Sequence, residues 1–258
     1  MFRNRLQTKH VLVIFALFTF ALITAFTCNK NGTENSVEFK PKKVLIFSKT
    51  AGFHHGSIPK GIEAIQKLGA ENKFSVDTTT NPALITSVNL KQYAVVIFLS
   101  TTGDIFNEAQ QQAFEQYIKN GGGFVGVHAA TDTEYDWPWY GKLVGAYFNG
   151  HPAQQEATLH VVDRTHISTK HLPETWKRKD EWYNFKQLGT DLHVLITIDE
   201  ATYNGGTNGA NHPMAWYHEF DGGRAFYTEL GHTDESFAEP LYLQHLLGGI
   251  KYAMGLKK

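Results

Sequence analysis

Thirteen histidines occur in this 258-residue chain, and a few stand where a backbone turn would present an imidazole into a cleft. His128 is the sharpest of them. It ends an apolar run in Gly126-Val-His-Ala-Ala130, where small neighbours permit a tight exit from a strand. That is the setting of a nucleophile elbow. An imidazole at such a point serves as a general base, a metal ligand or a hydrogen-bond donor, and rarely as a covalent nucleophile. His232, in Gly231-His-Thr-Asp234, offers a second imidazole with a carboxylate two residues on, the pattern of a base and its orienter. Asp234 reads equally well as the cap of the last helix. His54 and His55 are adjacent, and neighbours in an extended segment point to opposite sides. One of them faces the cleft, and the reading favours His54.

Carboxylates and imidazoles also lie among aromatic residues. Asp132 heads the run 132–140, Glu181 and Tyr183 follow Asp180, and His212 and Trp216 share the segment 212–216. Aromatic faces beside polar groups suit sugars, whose C–H face stacks while the hydroxyls take hydrogen bonds. Packing in the core is the ordinary fate of any one aromatic residue. The expectation is that His128 and His232 act as base and acid, with His54, Asp132, His151, Glu181, Tyr183, His212 and Trp216 binding substrate. A zinc-like divalent ion held by scattered histidines and Glu181 stays open, since spacing alone shows neither an H-E-x-x-H motif nor a cysteine cluster.

These residues need a scaffold, and the first half supplies its pattern. Residues 43–48, 74–78, 93–100 and 124–128 read as strands. Between them, residues from Ser57 with Pro59 in the first turn, and residues from Asn107 to Asn120-Gly121, read as helices. Strand–helix alternation at this spacing means crossovers and a parallel sheet. Ligands then sit beyond the carboxyl ends of the strands, which singles out loops 49–56, 101–106 and 128–136. In the second half, residues 155–162 and 193–198 read as strands. Residues 214–220 and 224–230 flank Asp221-Gly-Gly223 as a hairpin, and 237–254 form a last helix. They extend the first sheet or form a lid beside it.

The ends and the totals set limits. Arg3, Arg5 and Lys9 precede an uncharged apolar run over 11–26, followed by Cys28, the one cysteine of the chain. This reads as a lipoprotein-type signal segment over 1–28, with Cys28 lipidated, a tether over 29–41 and a domain over 42–258. The destination is then the periplasm or the cell surface, with a membrane as partner. One cysteine allows no intramolecular disulfide. A net charge of −1 gives no basic face for nucleic acid.

The ordered blocks KVLIFSKTAGFHH, GGGFVGVHAATDT, WPWYGKLVGAYFNGHP, DEWYNF and HPMAWYHEFDGGRAFYTELGH resemble the trehalose-utilisation (ThuA-like) domain, over about residues 42–256. The resemblance implies a class I glutamine amidotransferase-like, flavodoxin-like α/β fold: a mainly parallel sheet flanked by helices, with antiparallel strands added in the second half. Those amidotransferases carry a cysteine at the elbow and a His-x-Glu pair near the C-terminus. Here His128 replaces the thiol and His232-Thr-Asp234 looks like a shifted form of the pair, so amidotransferase chemistry is not expected. In the block around Asp163-Arg-Thr-His166 the sequence departs from the family pattern, and His166 is left out of the site. The resemblance implies sugar catabolism, beside a sugar dehydrogenase that makes keto-sugars. The expected activity is a lyase, hydrolase or isomerase on a keto-glycoside, by histidine acid–base chemistry with or without a metal. The rival expectation is a non-catalytic carbohydrate-binding lipoprotein.

Overall fold

A computed structural model describes residues 43–256; the expected signal segment, Cys28 and the tether lie outside them. β1 (Lys43–Phe47) is buried at every position but its first. A strand without an exposed face needs cover on both sides, and crossover helices provide it. α1 (Ile58–Asn72) turns Ile58, Ala64, Ile65 and Leu68 inward, the stripe an amphipathic helix lays on a sheet. Ser57 precedes it without capping it; its hydroxyl donates instead to the Gly231 carbonyl at 3.3 Å. β2 (Ser75–Thr79), α2 (Ser87–Leu90) and β3 (Val95–Leu99) follow. α3 (Glu108–Lys119) opens on a reciprocal capping box between Asn107 and Gln110, and leads into β4 (Gly123–Val127).

The second half contains α4 (Pro138–Val144), β5 (Tyr147–Phe148), β6 (Gln155–Val161), β7 (Thr175–Asp180), β8 (Phe185–Lys186), β9 (His193–Ile198), β10 (Pro213–Phe220), β11 (Gly223–Thr228) and α5 (Pro240–Ala253). Nine strands form one sheet in the order β2-β1-β3-β4-β11-β10-β9-β6-β7. The first five run parallel, in the flavodoxin-like order. The remaining four alternate in direction. They extend the sheet, as one of the two expectations held. Asp221 (φ 49°) and Gly222 (φ 93°) make the turn between β10 and β11, both left-handed as a two-residue hairpin requires.

β7 has no counterpart among the strands read from the sequence. Its inward positions are Trp176, Arg178 and Asp180, so it alternates in burial but not in polarity. It is also the far edge strand, four positions from β11. In a flat sheet that separation is about 19 Å. Yet Asp180 accepts hydrogen bonds from the backbone N–H groups of Gly231 and His232, both at 3.2 Å. The antiparallel half therefore curls back until its edge meets the chain leaving β11. Arg178 reinforces the join by donating to Asp180 at 2.9 Å and to Ser236 at 2.7 Å.

Candidate active site

Immediately after β4, His128 takes φ +50°. A left-handed non-glycine residue costs on the order of 1–3 kcal/mol and persists only where its surroundings enforce it. Here they do. Gly126 packs so closely on Tyr227 and Ala130 that a side chain there would collide with both, and the Tyr227 hydroxyl donates to the His128 carbonyl at 2.7 Å. The elbow expected from the sequence is thus formed, with a fully buried imidazole at its tip. His128 Nδ1 lies 2.8 Å from the Glu229 carbonyl oxygen. A carbonyl only accepts, so Nδ1 carries the proton and Nε2 presents its lone pair.

Three further side chains meet that lone pair. His232, on the loop after β11, places Nδ1 3.0 Å from His128 Nε2 and 3.1 Å from a Glu181 oxygen. Glu181, just past β7, brings the same oxygen within 3.5 Å of His128 Nε2. His55 sets its ring edge-on to His128 and His232, with centroids 4.8 and 5.2 Å away. One ligating atom from each of His55, His128, Glu181 and His232 lies within 4.8 Å of all the others. These four are the residues of the site that could hold a metal ion.

The loop carrying His55 is fixed from below. Thr102, after β3, accepts from Ala51 N–H at 2.7 Å and from Gly52 N–H at 3.1 Å, and donates to the Phe53 carbonyl at 2.9 Å. That arrangement turns His55 inward and leaves His54 exposed, bonded to Thr50 at 3.3 Å. The preference for His54 is therefore corrected: of two alternating neighbours, the loop's anchorage on Thr102 decides which goes in. Phe53, 65 % exposed, stands at the rim with its ring edge-on to His55.

The charges follow from the contacts. Burial, the largest influence on Glu181, would raise its pKa, but its contacts with the His128 and His232 rings hold the carboxyl well below the usual range. Burial likewise opposes protonation of His232, and Glu181 and Asp180 outweigh it, raising its pKa. His55 is pushed down to about 3 by burial first, then by the two neighbouring imidazoles. Glu229 was not singled out in the sequence. It is fully buried behind His128, accepts from Tyr183 N–H at 3.1 Å, and burial raises its carboxyl well above the ordinary value. Its signal was an acid inside the apolar end of a strand.

At the mouth, His151 has an exposed side chain with Nδ1 3.2 Å from the second Glu181 oxygen and 2.9 Å from the Pro152 carbonyl. Tyr183 lies beneath, 4.4 Å from the His128 ring and 5.8 Å from that of His151. Asp132 accepts from the Tyr135 hydroxyl at 2.6 Å, and burial raises its pKa despite that bond. Of these, His151 is exposed, Asp132 is half-buried and Tyr183 is buried under the imidazoles.

Three other expectations are corrected. His212 is wholly buried, with its nitrogens 2.8 Å from Glu200 and from the Tyr183 carbonyl; it supports the backbone under the site and reaches no cleft. Trp216 is wholly buried and donates to the Val144 carbonyl at 2.9 Å, so it is core. Asp234 is exposed, and Thr233 rather than Asp234 accepts from Ser236 N–H at 3.3 Å. The carboxylate that meets His232 comes from Glu181, fifty-one residues earlier in the chain.

Comparison with known proteins agrees with this fold. A family model described as trehalose utilisation, ThuA, matches residues 43–253. The structure is similar to that of a ThuA-like protein from Bacteroides uniformis, with TM-score 0.70 and 27% identity over 83% of this chain and 91% of that one. A ThuA-like protein from Parabacteroides merdae gives TM-score 0.70 and 22% identity over 83% of this chain and 90% of that one, a likeness of fold. No curated protein sequence matches the chain.

Proposed function

The chain belongs to the trehalose-utilisation (ThuA) family, and from that premise we propose that it is an enzyme that removes a proton beside the carbonyl of a keto-glycoside. The observation that carries this reading is the exposed His151 held on Glu181 beside the buried imidazoles. His151 Nδ1 faces two acceptors, the Glu181 carboxylate and the Pro152 carbonyl. Its proton therefore sits on Nδ1, and Nε2 is left as the base. We give the base role to His151 rather than His128 because His128 is fully buried and its Nδ1 is committed to Glu229.

An imidazole is too weak a base for an ordinary sugar C–H. A neighbouring ketone acidifies that bond, so the substrate has to be an oxidised sugar. Removing the proton breaks the C–H bond and puts its electron pair into an enolate, whose oxygen needs a donor. His232 supplies one: its Nδ1 is engaged by His128 and Glu181, which leaves Nε2 for the substrate. Return of the proton at another carbon completes an isomerisation; expulsion of a glycosidic oxygen β to the carbonyl completes an elimination. The exposed Phe53 offers a face for the sugar ring. In this account the protein is exported and anchored through Cys28, and a sugar dehydrogenase supplies the ketone.

The test is solvent exchange. Trehalose and its keto derivative, made by enzymatic oxidation, are each incubated with the protein in deuterium oxide and followed by proton NMR. The expected result is loss of the C–H signal beside the carbonyl at a rate above the protein-free control, with trehalose untouched. Tight binding of the unoxidised sugar without exchange would instead favour a carrier lipoprotein.

A further inference from the structure

We propose that His55, His128, His232 and Glu181 form a binding site for one divalent transition-metal ion of the zinc class. The inference deepens the enzymatic reading by naming an electrophile for the site, but its geometry stands whether or not the substrate is a keto-glycoside.

Distance is the first argument. Zinc bonds nitrogen and carboxylate oxygen at about 2.0–2.2 Å, so neighbouring donors around a tetrahedral ion lie roughly 3.3 Å apart. The separations here are 3.0 Å between His128 and His232, 3.1 Å between His232 and Glu181, and 3.5 Å between His128 and Glu181. They match three edges of a coordination shell, and His55 brings its donor within 4.8 Å of the other three. The four donors arrive from four separate segments: the loop after β1, the elbow after β4, the loop after β11 and the end of β7. Chain proximity does not bring them together, so their convergence is a property of the fold.

The state of each donor is the second argument. A metal-binding imidazole must offer a bare nitrogen, and the usual device is a hydrogen bond that fixes the proton on the other one. His128 has that device in the Glu229 carbonyl, which leaves Nε2 for the ion. Glu181 divides its oxygens in the same way, one to His151 and one to the cluster. His55 is buried, yet its Nδ1 has no hydrogen-bond partner. A buried polar atom without a partner is costly, and an imidazole tilted edge-on between two others gains little from them as a packing unit. Asp180 further holds the His232 segment by two backbone N–H groups, the outer hydrogen bonding that metal sites use to orient their ligands.

Donor chemistry selects the ion. Three imidazoles and one carboxylate favour zinc and its neighbours over calcium or magnesium, which prefer all-oxygen shells. His151 stays outside the shell as a hydrogen-bond partner of Glu181, so the base and the ion occupy opposite sides of one carboxylate. With four protein ligands the shell is closed, so a bound ion would polarise the substrate carbonyl only by gaining a fifth ligand or releasing one of the four.

The full chain, purified in detergent without a histidine tag and stripped with chelator, is titrated with zinc chloride by calorimetry, and bound zinc is measured by elemental analysis after dialysis. The expected result is one zinc per chain. His128→Ala and Glu181→Gln should each weaken binding beyond the roughly 10–100-fold typical of losing an outer hydrogen bond. His54→Ala, in the same loop but exposed, should bind as the wild type does. Circular dichroism confirms that each variant is folded, and His232→Gln replaces any variant that is not. Substoichiometric zinc in the folded wild-type protein, or equal affinity in folded ligand variants, would overturn the proposal. Because the readout uses zinc alone, it is independent of turnover: a protein that binds zinc here but exchanges no keto-glycoside proton refutes the substrate and keeps the metal site.

Discussion

The two halves of the sheet contribute different chemistry to one site. In the parallel half, β3 and β4 are buried at every position, and the strand ends deliver the imidazoles His55, His128 and His232. In the antiparallel half, β7 alternates between buried and exposed residues, and this edge strand delivers the carboxylates Asp180 and Glu181. Neither half holds a complete site. The apolar half fixes the rings, and the added half brings in the carboxylates that orient them. Asp180 is the tie: it is fully buried and accepts from Arg178, Ser236, Gly231 and His232.

Cutting that tie should have the largest effect on stability. Asp180→Ala leaves Arg178 buried without its closest carboxylate and frees two backbone N–H groups. Breaking a buried pair by removing one member costs about 3–5 kcal/mol, and urea unfolding should register that loss. A change within about 0.5 kcal/mol, the range of ordinary surface substitutions, would mean the halves are joined elsewhere.

Acid should separate the halves next, because His245 is fully buried beside the parallel strands. It sits between the Ser168 carbonyl at 2.9 Å and the Thr228 hydroxyl at 3.2 Å, and burial, ahead of its neighbours, brings its pKa down from 6.5 to about 3. Above pH 6.5 the ring is neutral in both states and contributes no pH dependence. As pH falls from 6.5 toward 3, the unfolded chain takes up a proton that the folded chain refuses, so stability drops by up to about 1.4 kcal/mol per pH unit. His55 acts in the same direction. Unfolding curves across that window should be shallower for His245→Gln; an unchanged slope would show that this ring does not set the acid limit.

The smallest expected effect is at the rim. Phe53→Ala removes an exposed face fixed by the Thr102 anchorage. We expect KM for a keto-glycoside to rise several-fold with kcat little changed, consistent with the roughly 0.5–1.5 kcal/mol of an aromatic contact. Equal KM values would remove Phe53 from the binding surface.

The same contrast explains what the sequence discloses. The parallel half is legible because its strands are mostly apolar runs and its helices have periodic faces; residues 93–100 and the cap Asn107 could hardly be read otherwise. The elbow at His128 follows from glycine and alanine around a strand end. β7 is hidden because a buried Arg178–Asp180 pair looks like a solvated face until the partner strands are known. His54 and His55 differ only in which way a loop is pinned, and Thr102, which pins it, lies about fifty residues away in sequence. Trp216 and His212 have the composition of a sugar site but serve the core, since aromatic character reports burial as readily as binding. Glu181 as the partner of His232 depends on the curl of the sheet, which no local pattern encodes.

The central claim is that His151, held by Glu181, takes the substrate proton. Its most direct test is the rate of solvent deuterium exchange into a keto-glycoside by wild type, His151→Ala and His54→Ala, each verified as folded. The account predicts a fall on the order of 10²–10⁴-fold for His151→Ala, the usual worth of a positioned general base, and a wild-type rate for His54→Ala. A wild-type exchange rate in His151→Ala would contradict it.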